Sequence, residues 1–221
     1  MLSFNLEEFL IVLERYNLSV WPLQIFAYIF GILAIFFSIK RIKYSNKIIL
    51  AILSFYWFWN GIVFCPIYWA PTYKYAYIFG VLCIIQGFLF LSSVIKSNIS
   101  IHFQINLYSI IGILFIIYAM VGYSLFGYFL GRVYPQFFPF GLVPCPTAIF
   151  TFGILLLTNK RFSKYFLVVP LIVSIGGFLA VYRGILEDIG LIIAGLLGVV
   201  LILLRDRNFK NEVHRQNESM S

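Results

Sequence analysis

The chain has 221 residues, 62% of them hydrophobic and 11% charged, with a mean hydropathy of +0.97. A soluble domain carries about 45–50% apolar and about 25% charged residues, so this composition excludes a water-covered globule and points to lipid as the solvent. The net charge of +8 comes without any aromatic-plus-basic surface pattern, which argues against a nucleic-acid partner, and follows the positive-inside rule instead.

The opening MLSFNLEEFL is acidic and lacks the basic region of a secretory signal, so it reads as retained. Asn5-Leu-Glu-Glu8 has the form of an N-cap with a capping-box glutamate. Leu6, Phe9, Leu10 and Leu13 recur at helical spacing after it. Residues 5–16 therefore read as a short amphipathic helix on the outer surface of bilayer or protein. It anchors the first span or, alternatively, lids an outer vestibule.

Seven apolar segments follow, at about 18–39, 48–69, 76–95, 107–130, 145–158, 165–183 and 186–204. A span needs about 20 apolar residues, and hydrocarbon leaves the helix as the form such segments can take. The fold class expected is an all-α integral membrane protein with seven transmembrane helices. It forms a single domain over 1–205, with a loose cytoplasmic tail over 206–221. Twelve of the sixteen basic residues fall in alternate connections: Lys40 to Lys47, Lys96, Lys160 to Lys164, and the tail. Arg15, Lys74, Arg132 and Arg183 fall on the other side, with Glu7, Glu8, Glu14, Glu187 and Asp188. This alternation predicts an outside amino terminus and a cytoplasmic carboxyl terminus, in a bacterial or archaeal cytoplasmic membrane.

Two stretches read alike. Trp21-Pro22-Leu-Gln-Ile25-Phe26 is echoed by Cys145-Pro146-Thr-Ala-Ile149-Phe150, Gly31-Ile-Leu33 by Gly153-Ile-Leu155, and the basic turn at Lys40-Arg41 by that at Lys160-Arg161. The pairs keep the same order, which suggests a parallel three-plus-one-plus-three repeat with span four as linker. That topology is similar to the SWEET sugar carriers, although the Pro-Gln motif of their wider relatives is absent. The likeness concerns fold and not function.

The segment RVYPQFFPFGLVPCPT holds Pro135, Pro139, Pro144 and Pro146. Proline removes donors and disfavours the α conformation before it, so span five cannot begin regularly before Cys145. Its amino terminus is then expected below the outer surface, under aperiodic chain. Such a terminus offers N–H groups and positive dipole to a polar or anionic solute. A prolyl plug of the outer face is the structural alternative. Arg183, Glu187 and Asp188 at the sixth turn, with Arg132 near the fourth, read first as a structural ion pair (Arg183 with Glu187) and second as a substrate or proton site.

Asn60 and Gln86 are expected to bond to neighbouring helices, and Gly190, Ala194 and Gly198 to form a close-packing stripe. Trp57, Trp59, Tyr68, Trp69 and Tyr73 read as an interfacial aromatic belt, or alternatively as the lining of a sugar-like pocket. Cys65 and Cys145 fall near the outer end and form no metal motif. Two histidines, His102 and His214, are too few for a three-histidine hydrolase, and no nucleotide or hydrolase motif occurs. No enzyme activity, cofactor or metal is expected.

Tyr16-Asn17 with Trp21-Pro22, Pro144-Cys145-Pro146-Thr147 leading into Gly153-Ile-Leu-Leu-Leu157, and Glu187-Asp188 together resemble an uncharacterised bacterial family of polytopic membrane proteins, catalogued as a domain of unknown function. The resemblance implies a membrane protein and no activity. The function expected is a carrier or permease for a small polar or anionic solute, facing outward at span five. Its substrate-binding residues are Trp21, Pro22, Arg132, Cys145, Pro146, Thr147, Arg183, Glu187 and Asp188. The alternative is a non-transporting scaffold or sensor that holds a partner protein. Membrane lipid is expected around the chain in either case.

Overall fold

The computed structural model describes residues 5–40, 42–96 and 99–218, with side chains described as far as Asn208. It is all-helical, without strands among the described residues. The elements are α1 (Leu6–Ser19), α2 (Leu23–Ile39), α3 (Ser45–Trp69), α4 (Ala76–Lys96), α5 (Leu107–Phe129), α6 (Pro144–Leu156), α7 (Tyr165–Tyr182) and α8 (Asp188–Glu218). Five of these, α3, α4, α5, α7 and α8, are long and apolar enough to cross a membrane. A sixth crossing arises if α1 and α2, bent by 85° at a short break, are taken together. All seven expected segments are helical, but α6 has only 13 residues, roughly 20 Å at 1.5 Å per residue.

The α1–α2 break has a local cause. Pro22 has no N–H to continue the helix, and the chain turns there with Leu23 N–H donating to Val20 O at 2.7 Å. In α1, Asn5 accepts from the Glu7 N–H at 3.0 Å, as an N-cap should. The expected capping-box return from Glu8 does not form. Instead the Tyr73 hydroxyl takes the Asn5 N–H at 3.0 Å and lies 3.4 Å from the Glu8 carboxylate. Burial, with Glu8 beside it, holds that phenol above its ordinary pKa.

Two spans carry wide i→i+5 turns. The last part of α3, Asn60–Trp69, is π-helical around Pro66, where the wider turn accommodates the ring and its missing donor. In α5 the turn Tyr118–Gly122 is π-helical. Residues five apart stand roughly 140° apart on a regular α-helix. The wider turn brings Tyr118 and Tyr123 closer to one face.

Helix α6 is the centre of the bundle. Every residue from Pro146 to Thr158 is buried, and α3, α5, α7 and α8 all pack on it. Backbones meet where glycines face one another. A Cβ on Gly112 would stand 2.8 Å from Gly153 O, and one on Gly61 2.8 Å from Gly80 O. The Gly190–Ala194–Gly198 stripe faces Tyr118 of α5 and Phe152 of α6, with Ala194 fully buried. Asn60 donates to Gly141 O and Thr147 Oγ1, each at 3.3 Å, and Gln86 to Phe166 O at 3.1 Å. These are the interhelical bonds expected of them.

Helix α8 does not stop at residue 204 but runs on to Glu218, so the expected loose tail begins as helix. Where its apolar stretch ends, at Arg205 and Asp206, it closes the far end of α6. Arg205 donates to Leu155 O at 2.9 Å and to Thr158 O at 3.0 Å, pairs with Asp206 at 3.1 Å, and stacks over Phe162. A buried helix end needs such partners, and a cation suits the negative end of its dipole.

The aromatic cluster turns inward rather than forming only a belt. Trp57 is fully buried and donates to Thr151 Oγ1 at 3.0 Å. Trp59 donates to the Tyr16 hydroxyl at 2.7 Å. The outward surface is left to aliphatic and aromatic residues such as Ile32, Ile78, Phe88, Ile110 and Phe178.

Candidate functional site

Helices α5 and α7 end alike. Gly131 (φ 84°) and Gly184 (φ 97°) adopt left-handed conformations, and the following residues close six-residue turns. Arg132 N–H reaches Gly127 O at 2.9 Å, and Ile185 N–H reaches Ala180 O at 2.9 Å. These are Schellman caps. Arg132 ties the two caps together, donating to Gly184 O at 2.5 Å and to the Glu187 carboxylate. The pair is almost dry, with side-chain exposures of 7% and 0%.

Glu187 therefore pairs with Arg132 and not with Arg183. The reason lies in the left-handed turn at Gly184: Arg183 ends α7, so residues 183 and 187 do not share one helix. Tyr118 donates to Glu187 O at 2.8 Å, and Tyr123 to Asp188 Oδ1 at 2.5 Å. The Cys145 thiol lies 3.5 Å from Asp188 Oδ2. Asp188, 1% exposed, forms no ion pair among the described residues.

The loop that leads into α6 is held from above by α1. Tyr16 donates to Leu142 O at 2.6 Å, and Asn17 Nδ2 to Pro135 O and Phe137 O at 2.6 and 2.7 Å. Gln136 donates to Glu14 at 2.9 Å, and Gln24 to Asn17 Oδ1 at 2.9 Å. Phe138 to Pro144 are buried, and buried irregular backbone is tolerated where protein satisfies it. Helix α1, read from sequence as an anchor of the first span or a lid over an outer vestibule, thus packs on this loop.

Beneath that cover lies a cavity of about 120 Å³. Its walls are Phe9, Phe64, Trp69, Tyr75, Phe79 and Phe138, with the start of α6 at Val143, Pro144 and Cys145, and with Arg183 and Asp188 as its charged groups. A second, more open groove of about 450 Å³ lies between α2 and α5, lined by Trp21, Gln24, Tyr28, Tyr128, Arg132 and Tyr134 among others.

The nine expected binding residues thus separate. Cys145, Arg183 and Asp188 line the cavity; Trp21 and Arg132 line the groove. Glu187 joins Arg132 in the buried pair. Pro146 and Thr147 are buried within α6, where Thr147 donates to Val143 O at 2.8 Å, and Pro22 is exposed at the α1–α2 bend. The start of α6 also offers fewer donors than a helix usually does, because Pro144 and Pro146 have no N–H.

Sequence reasoning missed Tyr118, Tyr123, Phe79 and Phe138. Their side chains become visible as a group only once the π-turn and the buried loop are known. All three cysteines are free. No cluster of histidine, cysteine and carboxylate residues able to hold a metal ion occurs among the described residues.

The fold and site define a helical protein whose long apolar helices surround one short buried helix and a small aromatic cavity. The chain belongs to DUF6064, a family of unknown function whose model spans residues 6–215. No curated protein and no solved structure matches it.

Proposed function

We propose that the chain is an integral membrane protein of seven spans, amino terminus outside and carboxyl terminus cytoplasmic, that carries a small polar solute through the cavity at the start of α6. The observation that carries this reading is the cavity itself. It lies where the proline spacing calls for an interrupted span, against a buried carboxylate and below a covering helix. Discontinuous helices at midmembrane sites are a recurring transporter device, and an ionisable residue among apolar spans is a functional-site hypothesis by default. The loop charges support the orientation. The echo between α2–α4 and α6–α8 supports a parallel repeat around α5.

Cys145 provides a native reporter, because it lines the cavity while Cys65 and Cys83 are buried. A membrane-impermeant thiol reagent added outside intact cells is expected to modify Cys145, and uptake by those cells is expected to fall. Modification only from the cytoplasmic side would overturn the orientation. Complete protection from both sides would overturn the open-cavity reading.

The open groove between α2 and α5 favours a second reading, a scaffold that seats a partner protein on exposed Trp21, Tyr128 and Tyr134. Purification of a stoichiometric complex that Trp21→Ala disrupts would decide for it.

A further inference from the structure

We infer that the solute of this cavity is a small methylated ammonium cation, held by the Asp188 carboxylate and the aromatic walls around Trp69. The inference rests on the carrier reading above and narrows its substrate class.

Two carboxylates stand next to each other where α8 begins, and Arg132 answers only Glu187. Asp188, 1% exposed, has no ion pair among the described residues. Its oxygens take hydrogen bonds from the Tyr123 hydroxyl at 2.5 Å and the Cys145 thiol at 3.5 Å. Both donors are neutral groups, so they orient the carboxylate without cancelling its charge. A carboxylate removed from water calls for a positive partner. Asp188 and Cys145 line the cavity together, so a cation within it can supply that partner. Arg183, the other charged residue of the wall, already has an interaction of its own, and the site does not draw on it.

The surroundings decide which cation fits. Hard metal ions such as calcium and magnesium gather about six or more oxygen ligands. No cluster able to hold a metal occurs among the described residues, and both Asp188 oxygens already accept hydrogen bonds. The walls offer rings instead. Trp69 is the hub of an aromatic corner, with its ring centroid 5.9 Å from Phe64, 5.6 Å from Tyr75 and 5.4 Å from Phe79. Aromatic rings attract cations, and aromatic cages are the usual means of holding a quaternary ammonium. A methylated ammonium spreads its charge over carbon and needs no acceptor for each proton. The volume of about 120 Å³ limits it to a compact one, since dry cavities of about 150 Å³ take up one benzene-sized guest.

The test is calorimetric binding to the purified full chain in lipid nanodiscs. The probes are tetramethylammonium, potassium, and tert-butanol, a neutral molecule of similar size and shape. Tetramethylammonium is expected to bind roughly tenfold or more tightly than either of the others. It is also expected to slow modification of Cys145 by the thiol reagent, because the thiol and the ammonium share Asp188, whereas tert-butanol at the same concentration is not. Asp188→Asn is expected to weaken tetramethylammonium roughly tenfold or more and to leave tert-butanol little changed. If Asp188→Asn does not fold, Phe79→Leu carries the test, with a several-fold loss for tetramethylammonium alone at an unchanged unfolding temperature. Equal or tighter binding of potassium or tert-butanol overturns the assignment. So does tetramethylammonium binding that leaves Cys145 unprotected, or a folded Asp188→Asn that binds it normally. Absence of tetramethylammonium binding while external reagent still modifies Cys145 overturns the cation and leaves the cavity reading standing. Absence of both binding and modification overturns both.

Discussion

Replacing Arg132 by methionine leaves the Glu187 carboxylate with no exposure and no countercharge. Its Oε1 already has no hydrogen-bond partner among the described residues. The change removes the ion pair and the 2.5 Å bond to Gly184 O that joins the caps of α5 and α7. Breaking one side of a buried pair costs about 3–5 kcal/mol. Removing both charges, as in Arg132→Met with Glu187→Met, leaves no stranded charge and loses mainly the Gly184 contact, about 1 kcal/mol. The double variant is therefore expected to be more stable than Arg132→Met alone by roughly 2–4 kcal/mol, and the cycle to be strongly non-additive. Equilibrium unfolding in mixed micelles, followed by far-ultraviolet circular dichroism, measures all four corners of the cycle. A loss below about 1 kcal/mol for Arg132→Met, or a double variant no more stable than that single one, would refute the reasoning.

Gly190→Ala places a Cβ 2.1 Å from Tyr118 Cε1 and 2.7 Å from its hydroxyl. The ring must move and release Glu187 O, for a loss of about 2–4 kcal/mol, and thermal unfolding should show the loss reduced when Tyr118→Ala is combined with it. Arg205→Ala strips the carbonyl end of α6 and strands Asp206. It should destabilise by about 3–5 kcal/mol in the same assay, and Arg205→Lys by less, since an ammonium cannot span the same carbonyls. Tyr16→Phe removes both the bond to Leu142 O and the acceptor for Trp59. About 1–3 kcal/mol should be lost, and limited proteolysis between Val133 and Val143 should accelerate.

Much of this architecture was legible because long apolar helices announce themselves by composition. The prolines of 135–146 likewise foretold both the short α6 and the irregular chain before it. The site was only partly legible. Spacing along one chain suggests Arg183 and Glu187 as partners, but a left-handed glycine between them redirects the chain, and a residue 55 positions earlier takes the carboxylate. Asp188 was singled out from its charge, whereas Tyr123 could not be, since a tyrosine in an apolar span carries no mark of the carboxylate it meets. The aromatic walls were hidden for a similar reason. Interfacial belts and cavity linings draw on the same residues, and only packing separates Trp69 from a belt.

The two ends of α6 are held by opposite ends of α8's membrane-length portion. Asp188 lies beside Cys145 at one end, and Arg205 on the terminal carbonyls at the other. Between them the Gly190–Ala194–Gly198 stripe faces the elements packed at the centre. Two helices fastened at both ends cannot slide or tilt independently, so in kinematic terms α6 and α8 form one rigid body. Any widening of the cavity must then come from its other walls, where Phe9 of α1, Trp69 of α3, Phe79 of α4 and Gly176 of α7 meet it.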